Sequence, residues 1–228
     1  EYENVNIAPS KGNITRDINP DTIPFTYSEK YKSNEFFPGN LAELDDSFIL
    51  RDLRGQPVIF YPVQYNPVTK VLRIYDEINI EVISNPNSIS NNNLSRQSND
   101  INTSNEFLHI YDQLFINNNN DMRFEFIGDE GRMLIICYDD FLDEMQPLVD
   151  WKNKKGIYTD IIGINEIGSS TSSMQNYINS YYFEHDLTYL LLVGDINQIP
   201  THVVNGAASD PSFGFINGND SFAEVIVG

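Results

Sequence analysis

Carboxylates near the end of the chain carry the clearest candidate chemistry. Asp195 follows Gly194 directly after the apolar run Leu187–Val193, which reads as a strand. Functional groups in open α/β sheets gather at the carboxyl ends of strands. Asp195 is therefore open to three readings: catalytic acid, metal ligand or loop cap. Asp210, Asp220 and Glu224 follow within Ser209–Ser212 and Gly218–Glu224. Carboxylates and carbonyls in a Gly/Asn-rich loop suit Ca²⁺, a hard cation that takes oxygen ligands. Their spacing does not match an EF-hand loop. The functional reading is a structural calcium site using Asp195, Asp220 and Glu224. The plain alternative is that Asn219 and Asp220 make a turn before a strand starting at Ala223.

The nucleophile and base candidates are weaker. His109, His185 and His202 lie far apart, and none sits at zinc-finger or zincin spacing. His202 follows Ile199-Pro200, past the strand, and is the histidine nearest the functional edge. The single cysteine, Cys137, sits beside Leu134, Ile135 and Ile136. A nucleophilic cysteine needs exposure and a neighbouring base, so Cys137 reads as a small buried hydrophobe. The chain has no P-loop, no dinucleotide-binding glycine pattern, no His-Glu-x-x-His and no Gly-x-Ser-x-Gly. No catalytic residue is assigned on this chain. Arg96 lies in an exposed polar tract where a trypsin-like protease would cut; an ordinary solvated arginine is the plain reading.

The elements that must position these residues fall into dissimilar halves. Pro57–Tyr65 reads as a strand and Asn66–Thr69 as a turn, while Lys70–Tyr75 and Glu77–Ile83 alternate with period two. This is antiparallel β material, packed on one face as in a sandwich. Residues 84–103 are rich in Asn, Ser and Gln, and a second polar tract spans Asn117–Asp121; these read as linker. Met133–Tyr138 is a continuous apolar run, as in a buried parallel strand. A helix over Phe141–Lys155 follows, with Leu148 and Trp151 as apolar positions and Pro147 as a local irregularity. Strand Ile157–Ile164, helix Met174–Phe183, strand Leu187–Val193 and a short strand Ala223–Val227 complete the pattern. Alternating strands and helices argue for parallel crossovers and a covered sheet. The expected organisation is an all-β, sandwich-like domain over 1–90, a linker over 91–125, and an incomplete α/β domain with a mostly parallel sheet over 126–228.

Composition limits the partners. The chain has 33 acidic and 14 basic residues, a formal net charge of -19. That charge repels phosphate backbones and anionic membranes, so nucleic acid is not an expected partner. One cysteine rules out an internal disulfide framework. No apolar run reaches membrane-spanning length. No signal peptide opens at Glu1, as in a mature or excised segment.

Several segments, taken in order, add a family resemblance. Gly131–Ile136, Asp150–Gly156, Asp186–Asp195, Ile199-Pro200, Ser209-Asp210 and Gly218–Gly228 resemble the start of the catalytic domain of the gingipain cysteine proteases, nearer the arginine-specific branch. Ile49–Gln56, Val58–Tyr65, Asn66–Lys70 and Leu72–Tyr75 resemble the end of the propeptide that precedes it. The resemblance implies a β-sandwich propeptide covering the active-site cleft, then an incomplete caspase-like, three-layer α/β subdomain. It also implies a maturation junction in or near the linker, and Asp195, Asp220 and Glu224 in the calcium-bearing region. The family's catalytic cysteine, histidine and basic-residue pocket fall outside the matched segments, on a segment or chain starting just after Gly228. The implied function is the amino-terminal portion of a secreted or cell-surface bacterial endopeptidase zymogen that cuts peptides and proteins after Arg, or Lys. A non-enzymatic binding module and a sortase-like secretion-signal peptidase are the alternatives.

Overall fold

The computed structural model describes residues 1–83, 103–118, 130–218 and 220–228. Arg96, the candidate cut site, lies outside them. The chain divides into two compact units: Glu1–Asp46 with Gln56–Ile89, and Ser47–Gly55 with Ser90–Gly228.

The first unit is built from short antiparallel pairs. Strand β1 (Ala42–Leu44) pairs with β4 (Val58–Phe60), and β5 (Val63–Asn66) pairs with β6 (Val71–Ile74). The run Pro57–Tyr65 is thus two strands, split at Pro62, whose missing N–H cannot serve a ladder. The β5–β6 turn is held by Asn66, whose Oδ1 accepts the amides of Val68 at 3.0 Å and Thr69 at 3.1 Å. Glu77–Ile83, expected as a strand, pairs with none among the described residues, and Val82 and Ile83 are exposed. The buried side chains of this unit are polar. Gln64 donates to the Pro38 carbonyl at 2.6 Å and accepts from the Tyr75 hydroxyl at 2.9 Å.

The second unit holds the parallel sheet. Strands β7 (Arg132–Cys137), β8 (Tyr158–Gly163), β9 (Leu187–Val193) and β12 (Ile226–Val227) lie in the order β12-β9-β7-β8, all parallel. Side chains of β7 alternate between two apolar layers, as strand geometry requires. Leu134 and Ile136 pack with Met174, Ile178 and Tyr182 of helix α4 (Thr171–His185). Met133, Ile135 and Cys137 pack with Val149 of α2 (Leu142–Lys154) on the other face. Helix α2 runs through Pro147. Trp151, expected on its apolar side, is instead half exposed, with the Lys155 ammonium 4.8 Å from its ring centroid. A short helix α3 (Ile164–Ile167) and a hairpin of β10 (His202–Val204) and β11 (Ala207–Ser209) lie beyond the carboxyl ends of β8 and β9.

Two further pieces belong to this unit. A hairpin of β2 (Phe48–Leu50) and β3 (Leu53–Gly55) is inserted between β1 and β4 in sequence. Helix α1 (Asn105–Leu114) falls inside the stretch expected as linker. Its Phe107 and Tyr111 are buried and cluster with Leu50, because an amphipathic helix needs a face to cover. Among the described residues no helix is long and apolar enough to cross a membrane.

Candidate functional site

The expected site residues lie at opposite rims of the sheet. Asp195 follows β9 at the carboxyl rim and is exposed. Its Oδ1 accepts the Ile196 amide at 2.8 Å, and its own amide donates to Gln198 Oε1 at 2.8 Å. The loop packs so closely that a Cβ on Gly194 would come within 2.7 Å of Ile199 Cγ1. These bonds make Asp195 a loop cap.

Asp220 and Glu224 lie instead before β12, at the amino rim. The parallel register of Ile226 with Tyr189 sets Glu224 near the start of β9. A seven-residue strand such as β9 is about 20 Å long at ~3.3 Å per residue, which separates them from Asp195. Asp220 accepts the Ile49 amide at 2.8 Å through Oδ2 and the Phe222 amide at 3.0 Å through Oδ1. Glu224 is fully buried; its Oε2 accepts the amides of Ile216 at 2.7 Å and Asn217 at 3.0 Å. Its Oε1 is buried without a hydrogen-bond partner. Burial raises the Glu224 pKa, opposed by the amides it accepts. The structure brings Asp220 and Glu224 into one loop and leaves Asp195 at the far end of β9. Among the described residues no group of three or more His, Cys, Asp or Glu is placed to hold a metal ion. Calcium holds its oxygen ligands at about 2.3–2.6 Å, so carboxylates a strand's length apart do not share one ion.

The other candidates hold structural positions. Cys137 is buried on the α2 face, its Sγ donating to the Tyr138 carbonyl at 3.2 Å. Burial, with Asp139 and Glu144, pushes its pKa up, against thiolate formation. His109 is exposed on α1. His185, ending α4, lies against Tyr181 at 4.6 Å. His202 Nε2 bonds Gln175 Oε1 at 2.9 Å, and the ring packs on Phe213. A cavity of about 280 Å³ opens at the amino rim between Arg132, Tyr158, His185 and Asp186, and among the described residues no cysteine or serine lines it.

Arg51, in the β2–β3 turn, is a heavily partnered side chain that no sequence motif marks. It is fully buried. Nη1 donates to the carbonyls of Leu187 at 2.7 Å and Glu224 at 3.0 Å, and Nη2 to that of Asp186 at 3.3 Å. Nε lies 3.6 Å from Asp52 Oδ2. The guanidinium sits 4.7 Å from the Phe107 ring and 5.4 Å from that of Tyr182. Beside it, Phe48 stacks on Phe222 at 3.9 Å. The available signal was an Arg-Asp pair between two apolar runs, Phe48–Leu50 and Leu53.

Two family matches divide the chain between residues 114 and 128. The C25 propeptide family (Propeptide_C25) matches residues 1–114, and Peptidase family C25 matches residues 128–228. Gingipain R2 of Porphyromonas gingivalis strain W83 is 41% identical over 234 residues, covering 100% of this chain and 31% of the relative. Gingipain R1 of the same species is also 41% identical, with 23% of its length covered. Lys-gingipain is 24% identical over 208 residues, covering 87% of this chain and 12% of that protein. The chain thus spans about a third or less of the curated relatives it matches. Among solved structures, the crystal structure of the Arg-specific cysteine proteinase gingipain R covers 45% of this chain and 24% of that one, at 35% identity and TM-score 0.42. A complex of the pro- and mature domains of a P. gingivalis gingipain covers 43% and 24%, at 36% identity and TM-score 0.42. The chain belongs to the gingipain family, with its C25 propeptide over residues 1–114 and the first part of a C25 peptidase domain over residues 128–228.

Proposed function

We propose that this chain is the propeptide and opening catalytic segment of an arginine-specific cysteine endopeptidase precursor, working at the cell surface or outside the cell. The observation that carries the specificity is the 41% identity to gingipains R along the whole chain, against 24% to Lys-gingipain. The reaction attacks the peptide carbonyl with a thiolate; a histidine takes the thiol proton and returns it to the leaving amine, and backbone N–H groups hold the oxyanion. Cys137 is buried, and burial with the nearby Asp139 and Glu144 carboxylates pushes its pKa up against thiolate formation, so the reacting cysteine and histidine come from the precursor outside these residues. This chain supplies part of the scaffold: β7 and β9 present their carboxyl ends, and α2 and α4 cover the two faces. The propeptide's inhibitory role and its sandwich architecture belong to the same reading.

Calcium enters this reading in a narrower form. An ion bound by the second unit would draw its buried, unpartnered oxygen from Glu224, with Asp195 outside its reach. The test of the function is cleavage by the processed full-length protein of matched peptides that differ only at the residue before the cut. Arg peptides are cut, Lys and neutral ones far more slowly, and iodoacetamide abolishes the activity. Cys137→Ala retains it at a stability cost of about 1 kcal/mol. Loss of activity in that variant, with the fold intact, contradicts the assignment.

A further inference from the structure

We propose that Arg51 is the anchor that keeps the propeptide bound to the peptidase portion at the amino rim of the sheet, and that it holds the two together after the connecting chain is cut. The proposal rests on the propeptide–peptidase reading above and adds the residue and surface responsible.

The hairpin Phe48–Gly55 and helix α1 lie within the propeptide match, yet both pack in the unit that holds the parallel sheet. Arg51 reaches into the peptidase match, to the carbonyls of Asp186, Leu187 and Glu224 and to the Tyr182 ring. Asp186 caps the carboxyl end of α4, where the helix dipole is negative and favours a cation. A planar guanidinium reaches three carbonyls as a fork, which an ammonium cannot do. Asp52 and the Phe107 ring, both from the propeptide, close over its other side. A buried arginine among aromatic rings is the usual make-up of an interface hot spot. Around it, Phe48 stacks on Phe222, and the Ile49 amide donates to Asp220.

The backbone supports the same reading. Arg51 has φ +52 at the first turn position, a place that favours glycine. Glycine would suit that turn better, so the arginine is there for its side chain. The anchor also lies at the rim opposite the carboxyl ends of the strands, where α/β sheets carry their chemistry. Holding the propeptide and blocking the cleft are therefore separable tasks.

The test compares full-length precursors carrying wild-type Arg51, Arg51→Gly and Arg51→Lys, each allowed to process and then run on gel filtration at micromolar concentration. The wild-type propeptide co-elutes with the peptidase. Arg51→Gly relaxes the turn while deleting the anchor, and it weakens association roughly 30-fold or more, so the propeptide elutes apart. Arg51→Lys keeps the charge without the fork and dissociates at least about tenfold faster than wild type. Should Arg51→Gly fail to accumulate, the Arg51→Lys dissociation rate decides. A propeptide that leaves either variant at the wild-type rate overturns the anchor and leaves the precursor reading intact. A wild-type propeptide that separates at once likewise overturns the anchor and leaves the precursor reading intact.

Discussion

Glu224 holds one carboxylate oxygen on the Ile216 and Asn217 amides and buries the other without a partner. Burial raises its pKa above the ordinary value of 4.5. The folded chain therefore binds this proton more tightly than the unfolded chain. Its contribution to stability is fully present below 4.5 and is lost as pH rises through the raised folded value. Glu224→Gln removes the charge and keeps an acceptor for the two amides. In EDTA the variant is expected to be about 1 kcal/mol more stable than wild type at pH 7–8, with the gap closing as pH falls toward 4.5. Urea melts across that range check it; a variant less stable at every pH contradicts the account. If calcium binds at Glu224, adding the ion reverses the order, because only the carboxylate gains a ligand bond.

At the scale of the element, α4 carries the core and both of its ends are specified. Ser170 Oγ accepts the Ser173 amide at 3.0 Å, and Asp186 closes the other end in the left-handed region. Ser170→Ala removes the cap and is expected to lower stability by about 1 kcal/mol with an unchanged slope in urea; no change in the midpoint contradicts it. This level was largely legible in the sequence. Leu187–Val193 matches β9 at both ends because an apolar run between Asp186 and Gly194 has one natural extent. The Pro57–Tyr65 run has the composition of one strand, although Pro62 divides it. Glu77–Ile83 has strand periodicity but no partner among the described residues, and periodicity alone supplies no ladder. The hairpin Phe48–Gly55 was hidden by three-residue strands and a turn without Asn-Gly or Gly. Loop carboxylates were recognisable, but their rim was not: composition does not say whether a loop enters or leaves a parallel strand. In sequence, Asp195 therefore groups with two residues that the fold places a strand's length away. Arg51 carries only the neighbouring Asp52 as a signal, since its other partners are distant in sequence.

At the scale of the whole molecule, sequence identity and compactness divide the chain differently. The propeptide match ends at residue 114, but the unit containing the sheet takes in Ser47–Gly55 and α1 from within it. Propeptide residues thus complete part of the apolar and hydrogen-bonded surface of the peptidase segment, and that surface is exposed when they leave. A precursor built this way is expected to be silent while residues 1–114 remain attached and active once they dissociate. The most direct test follows a purified precursor through processing. Fractions with and without residues 1–114, identified by intact mass, are assayed side by side on an Arg peptide. The account predicts cleavage in fractions free of residues 1–114 and little in those that retain them. Equal rates in both fractions would contradict it.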